Sequence, residues 1–268
     1  MYVLDYKDRS YNKWFKGLIH FQGNIVNIFK SSFWFALGTL FSRLTGLLRE
    51  SVIAGVFGAS SSLDAFLVAN RIPNLLREML AEGALGSSFT KVFSEQWEKD
   101  KEKATAFLGE AFILFFAISI LVSIFGIFTA PYLVKGMTLL SSPAAGHERF
   151  VQETVGLTRL LFPFISFMIL GSIASGALHQ RGRFFISSLS PIALNCGYLI
   201  GALIFASVLV NYNPTWLANP AITGLAIGVL LGGFLQCLIQ FWGVRAIFFE
   251  SLRRLDRKST RLNSSHQI

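Results

Sequence analysis

The chain has 268 residues, of which 53% are hydrophobic and only 15% charged, with a mean hydropathy of +0.54. Soluble domains carry nearer a quarter charged residues, so this balance excludes an ordinary water-soluble fold. A net charge of +9 (24 basic minus 15 acidic residues) would suit a nucleic-acid binder, but the basic residues sit between apolar runs and not on one face.

Residues 1–30 interleave Trp14, Phe15, Leu18, Ile19 and Ile25 with lysines. The pattern fits an amphipathic helix on the inner leaflet or, equally, an irregular tail. The first predicted span covers 32–57 and contains "FSRLTGLLRE", which sets Arg43, Arg49 and Glu50 in an otherwise apolar stretch. "FGASSSLDA" then makes a short outer turn, with Ser60–Ser62 as candidate helix caps and Asp64 in the first turn of the next helix. The second span, 63–93, carries Asp64, Asn70, Arg71, Asn74, Arg77, Glu78 and Glu82, with Pro73 in its middle. A lipid-exposed helix does not hold that load, whereas one lining a water-filled cavity does. "SEQWEKDKEKA" reads as a solvated cytoplasmic loop.

Four longer apolar runs follow at 111–130, 160–178, 184–210 and 221–249, each long enough to cross a bilayer core. They read as helices, since barrel strands are about half that length and alternate in polarity. Pro163 and Pro191 are expected to bend the fourth and fifth spans. On the sixth, Gly224, Gly228 and Gly232 share one flat face with Gln236 and Gln240. The face reads as close helix packing, with a functional role for the glutamines as the alternative. Cys196 and Cys237 lie inside spans and read as small core residues with no disulfide.

The fold class is therefore all-α, a polytopic bundle of six membrane helices over residues 31–250. Lys7, Arg9, Lys13, Lys16 and Lys30 precede the first span, Lys91 to Lys103 follow the second, and Arg181 and Arg183 follow the fourth. The alternate loops are poor in positive charge, which places the N-terminus in the cytoplasm. Residues 251–268 form a polar tail. From about residue 256, "DRKSTRLNSSHQI" resembles translated sequencing-adapter DNA, the alternative being a genuine tail.

At 100° per residue, Thr39, Ser42, Arg43, Gly46, Arg49 and Glu50 fall within a third of the first helix's circumference. Asp64, Asn70, Arg71, Asn74, Arg77, Glu78 and Glu82 share a broad side of the second. Two such stripes most simply face each other across a hydrated cavity. Either the charges form salt bridges between helices, or the arginines present an anion site, because guanidinium groups bind phosphate oxygens bidentately and keep their charge. The sequence has no phosphate-binding glycine loop, no metal-ligand spacing among its four histidines and two cysteines, and no hydrolase triad. Neither catalysis nor a cofactor is expected.

The residues "FSRLTGLLRE", "FGASSSLDAFLVANRIPNLLREMLAEGA", "FPF" at 162–164 and "SPIALN" at 190–195 resemble the MurJ/MviN family. These are the lipid II flippases of the multidrug/oligosaccharidyl-lipid/polysaccharide exporter superfamily. The resemblance covers residues 31–250. It implies a bacterial inner-membrane flippase that carries undecaprenyl-pyrophosphate-linked peptidoglycan precursor to the outer leaflet, with that lipid and the surrounding membrane lipids as its partners. It further implies that Arg43, Arg49 and Arg77 bind the substrate anion and that Asp64 lines the cavity, pairing to an arginine or shaping the gate; it assigns no role to Glu50 or Glu78. From their place on the polar side of the second span, Asn70, Asn74 and Glu78 are expected to line or gate the cavity with Asp64. Family members have two six-helix lobes and alternate access by rocking one against the other. The chain matches the first, so it is expected to be a fragment needing a C-terminal lobe for transport. Transport of another polyprenyl-linked saccharide and a non-transporting membrane scaffold are the alternatives.

Overall fold

The computed structural model describes residue 33 and residues 35–138, 147–212 and 219–265, with side chains given as far as residue 250 except at 82 and 84. The segment 1–30 and the side chain of Glu82 lie outside the described residues. Everything described is helix or short turn, with no strand. This agrees with the all-α expectation.

Helix α1 spans residues 35–57 and stops at Gly58, whose φ of +58° is a conformation that favours glycine. Ser60 caps α2 (Ser61–Arg77), its hydroxyl accepting from the Leu63 N–H at 3.2 Å, and Asp64 falls in the first turn as expected. α2 continues through Pro73, which is buried on the side that packs against α5. The interruption comes later, in a wide-turn segment (Glu78–Ala84) with Gly83 out of helical geometry at φ −84° and ψ −111°. The expected single span 63–93 is thus two helices. The chain closes tightly on itself there, because a Cβ at Gly86 would collide with the Ala81 carbonyl oxygen.

α3 (Leu85–Lys99) and α4 (Lys101–Thr138) are separated by one residue, Asp100. The predicted solvated loop is therefore helical on both sides of a sharp break. The Asp100 carboxylate accepts from the N–H groups of Glu102 (2.9 Å) and Lys103 (3.2 Å) and so caps α4. The Lys103 N–H, first among the causes, holds its pKa below the ordinary carboxylate value. Its 38 residues make α4 about 57 Å long, so it overshoots a bilayer core of roughly 30 Å. Ser119, Ser123, Gly126 and Ala130 face inward, and Ser166 ties α4 to α6 through Ser123 (2.9 Å) and the Ser119 carbonyl (3.1 Å).

α5 (His147–Leu161) and α6 (Phe164–Gln180) meet at Phe162 and Pro163, so the fourth span starts three turns earlier than the apolar run implied and breaks at its proline. α7 (Phe184–Ile200) passes through Pro191 without ending. It leads by a wide-turn segment (Gly201–Phe205) into α8 (Ala206–Tyr212). α9 (Pro220–Ser265) begins with proline at its first position, and Asn219 links that end to α2 through Ser62 at 2.6 Å.

Two apolar clusters hold the bundle. One centres on Phe66, Phe162, Phe164, Ile165 and Leu225, the other on Phe89, Phe93, Leu108, Ile173 and Leu178. Large apolar side chains also point outward, among them Leu121, Phe125 and Phe128 on α4, which suits lipid as the solvent. Among the described residues, four stretches are long and apolar enough to cross a membrane: Lys101–Thr138, His147–Gln180, Phe184–Tyr212 and Pro220–Glu250. Cys237 is buried as expected, but Cys196 is exposed, and neither forms a disulfide. Cys196 reaches the surface because the side of α7 that meets α9 is taken by glycine.

α9 meets α7 and the wide-turn segment after it by direct backbone approach. Gly197, Gly201, Gly224, Gly228 and Gly232 bring the two backbones together, and a Cβ at Gly228 would strike Gly201 and the Gly197 carbonyl. Gly55 on α1 has nothing within 4 Å of the same position. Gly228→Ala should therefore destabilise by about 1–3 kcal/mol through overpacking, while Gly55→Ala should stabilise by up to about 1 kcal/mol through helix propensity. Reversible unfolding in mixed micelles measures both, and equal effects would contradict the packing argument.

Candidate functional site

The N-terminal polar residues converge on α7. Asn195 is buried in that helix, and its Nδ2 donates to the Ser42 carbonyl (3.1 Å) and the Thr45 hydroxyl (2.9 Å) of α1. Its Oδ1 accepts from Arg49 Nη1 at 3.2 Å. One turn along, the Tyr198 ring lies under the Arg49 guanidinium, 4.7 Å from centroid to Cζ. The Tyr198 hydroxyl accepts from Asn70 Nδ2 of α2 at 2.9 Å, and Asn74 Nδ2 donates to the Asn70 carbonyl at 2.9 Å. Arg49 and Asn70, predicted on two different helices, are thus joined through two residues of a third.

Arg49 also pairs with Glu50 at 2.6 Å, but Glu50 is 70% exposed and adjacent in sequence. A pair so open contributes about 1 kcal/mol or less and does not cancel the cation. Arg77 stands 3.7 Å from Glu78, again a neighbour in sequence, and the two arginine side chains are 25% and 26% exposed. Arg49 is thus positioned by neutral groups and only weakly neutralised. Asn70 Oδ1 is buried without a protein partner among the described residues, which marks a place for water or ligand.

Other predicted members separate from this cluster. Arg43 is exposed, because it lies about 120° around α1 from Arg49 and only the Ser42–Thr45–Arg49 side meets α7. Asp64 is exposed in the first turn of α2, and no ion pair joins it to an arginine among the described residues. Between the two stripes, α7 supplies the polar residues that connect Arg49 to Asn70. Arg77 borders a different space, a cavity of about 680 Å³ walled by α3, α6 and α9. Asn195 and Tyr198 were missed as site residues. Their signal was present: an amide and a phenol three residues apart in an apolar run, the amide ending "SPIALN".

Tyr198→Phe keeps the ring beneath Arg49 and loses one hydrogen bond, so it should cost about 1 kcal/mol of stability. Asn195→Leu strands Arg49 and the Thr45 region together and should cost about 2–4 kcal/mol. The same micelle unfolding assay separates them, and a Tyr198→Phe loss as large as that of Asn195→Leu would contradict the central place given to Asn195.

A family model described as "Lipid II flippase MurJ" matches residues 53–265. The lipid II flippase MurJ of Burkholderia cenocepacia is 35% identical over 224 residues, covering 83% of this chain and 41% of that protein. A probable lipid II flippase MurJ of Treponema pallidum is 34% identical over 221 residues, covering 80% and 38%. The chain therefore spans about two fifths of the length of these curated relatives. Among solved structures, a lipid II flippase MurJ in an inward closed conformation superposes with a TM-score of 0.59 at 26% identity, covering 81% of this chain and 46% of that one. MATE in a bent conformation gives 0.60 at 20% identity, covering 82% and 45%, which shows a shared fold. The chain is a multi-pass bacterial membrane protein and belongs to the MurJ family of lipid II flippases.

Proposed function

We propose that the chain forms the N-terminal lobe of a lipid II flippase of the bacterial inner membrane. The lobe crosses the membrane six times with its N-terminus in the cytoplasm: α1 makes the first span, α2 with α3 the second, and the four long apolar stretches the rest. A second lobe completes the cavity, and alternating access moves the undecaprenyl-pyrophosphate-linked precursor to the outer leaflet. Arg43, Arg49 and Arg77 are the ligands for its pyrophosphate and acidic groups, with Asp64, Asn70, Asn74 and Glu78 as cavity or gate residues.

The observation that carries this reading is the setting of Arg49. A cation at the bilayer centre costs about 2.5–3.5 kcal/mol even on translocon scales. Here that cost is offset by a buried amide, an aromatic face and one exposed carboxylate, a set that orients the guanidinium without consuming its charge. Such a cation suits a phosphate that arrives and leaves better than a permanent salt bridge does. The names of the relatives supply the identity of the phosphate, since the geometry alone also fits another polyprenyl-linked saccharide. The flippase family is a transporter family, and no covalent step is assigned to these residues.

In a reading frame extended to the length of the relatives, Arg49→Ala and Arg77→Ala should each abolish rescue of flippase-depleted cells at normal expression, and Arg49→Lys should restore it only partly. Rescue by the alanine variants would overturn the reading. In the same background, cysteines placed at 43, 49 and 77 should react with a membrane-impermeant maleimide. Unreactive, dry positions would favour a scaffold whose charges serve only helix packing.

A further inference from the structure

The cavity beside Arg77 has chemistry that the arginine site does not use. Its volume of about 680 Å³ lies within the range of small-ligand sites, and its walls come from α3, α6 and α9. Hydroxyls line it at Thr90, Ser172 and Ser175, amides at Gln236 and Gln240, and cations at Arg77 and Lys91. Among the described lining residues there is no carboxylate, and the two cations disfavour a cationic ligand.

Some of these groups only join helices. Gln180 Nε2 donates to Ser94 at 2.5 Å, and Gln240 Nε2 donates to Ser190 at 2.9 Å. Two acceptors remain after that accounting. Gln240 is 5% exposed, and its Oε1 is buried with no donor; Gln236 Oε1 is buried in the same condition. Each unmet buried acceptor costs about 1–3 kcal/mol unless something donates to it. Two glycines make room for these side chains in the cavity wall: a Cβ at Gly171 would fall on Gln240 Oε1, and one at Gly176 on the Thr90 hydroxyl. Two carbonyl acceptors, a row of hydroxyls and bordering cations fit a ligand rich in O–H and amide N–H donors that carries negative charge nearby.

We propose that this cavity is a second subsite, which takes the hydroxyl- and amide-bearing saccharide of a lipid-linked pyrophosphate, with the carbonyls of Gln236 and Gln240 accepting its O–H or N–H groups. It rests on the reading of Arg49 and Arg77 as the pyrophosphate ligands. Arg77 borders the cavity and so connects the two subsites.

The test measures binding of two lipids, in nanodiscs, to the protein from a reading frame extended to the length of the relatives: lipid II, and undecaprenyl pyrophosphate, which lacks the saccharide. Wild type should bind lipid II more tightly. Gln236→Leu should raise the lipid II Kd roughly tenfold and leave that of undecaprenyl pyrophosphate unchanged, the latter serving as the check on folding. Arg49→Ala should weaken both lipids. Equal affinity of wild type for the two, or no saccharide-selective loss in Gln236→Leu, overturns the subsite while leaving the arginine reading intact. Binding of neither lipid overturns both. Should Gln236→Leu lose both lipids, Gln236→Asn, which retracts the amide by one methylene, decides: selective loss of lipid II supports the subsite, and its absence overturns it.

Discussion

The arrangement of the N-terminal half depends on one guanidinium group, three-quarters buried between α1, α7 and α2. Arg49 cannot shed its proton, so the protein must solvate it, and it does so with α7. Asn195 reaches α1 at three points, through the Ser42 carbonyl, the Thr45 hydroxyl and Arg49 itself, while Tyr198 covers the cation and extends a hydroxyl to Asn70. These bonds order α1, α7 and α2 around a charge that stays available.

The rest of the bundle can be read as what this constraint demands. α7 must hold still to present Asn195 and Tyr198, and the glycines it shares with α9 lock it by direct backbone contact. α2 must present polar residues on one side while burying Phe66, Ala69 and Ile72 on the other. It does both by packing that apolar side near α5 and by breaking only after Arg77, in the wide turn at Glu78–Ala84. The break redirects α3 toward α6, and the space left between them and α9 becomes the polar cavity at Arg77.

Much of this was legible from the sequence, for identifiable reasons. Uncharged runs of membrane length announce helices whatever their neighbours do, and the small residues four apart on α9 announced a close contact. What escaped depends on which helix faces which. The wheel put Arg43 and Arg49 on one stripe, and it could not show that only the Arg49 edge of that stripe meets α7 while Arg43 stays exposed. The second span was expected to run unbroken over 63–93 with Pro73 in its middle; the helix does pass that proline, and Gly83 and Gly86, with their tight local turn, mark the break. Asn195 looked like one polar residue in an apolar helix. Its importance comes from residues about 150 positions away, which periodicity does not see.

The central claim is that Arg49 is oriented by neutral groups so that its charge remains free for a phosphate. Electron cryomicroscopy of the full-length parent in nanodiscs with lipid II tests it most directly. The account predicts phosphate density in hydrogen-bonding contact with Arg49, with Asn195 and Tyr198 still supporting the guanidinium. A lipid bound elsewhere, with Arg49 closed onto a carboxylate of the second lobe throughout, would contradict it.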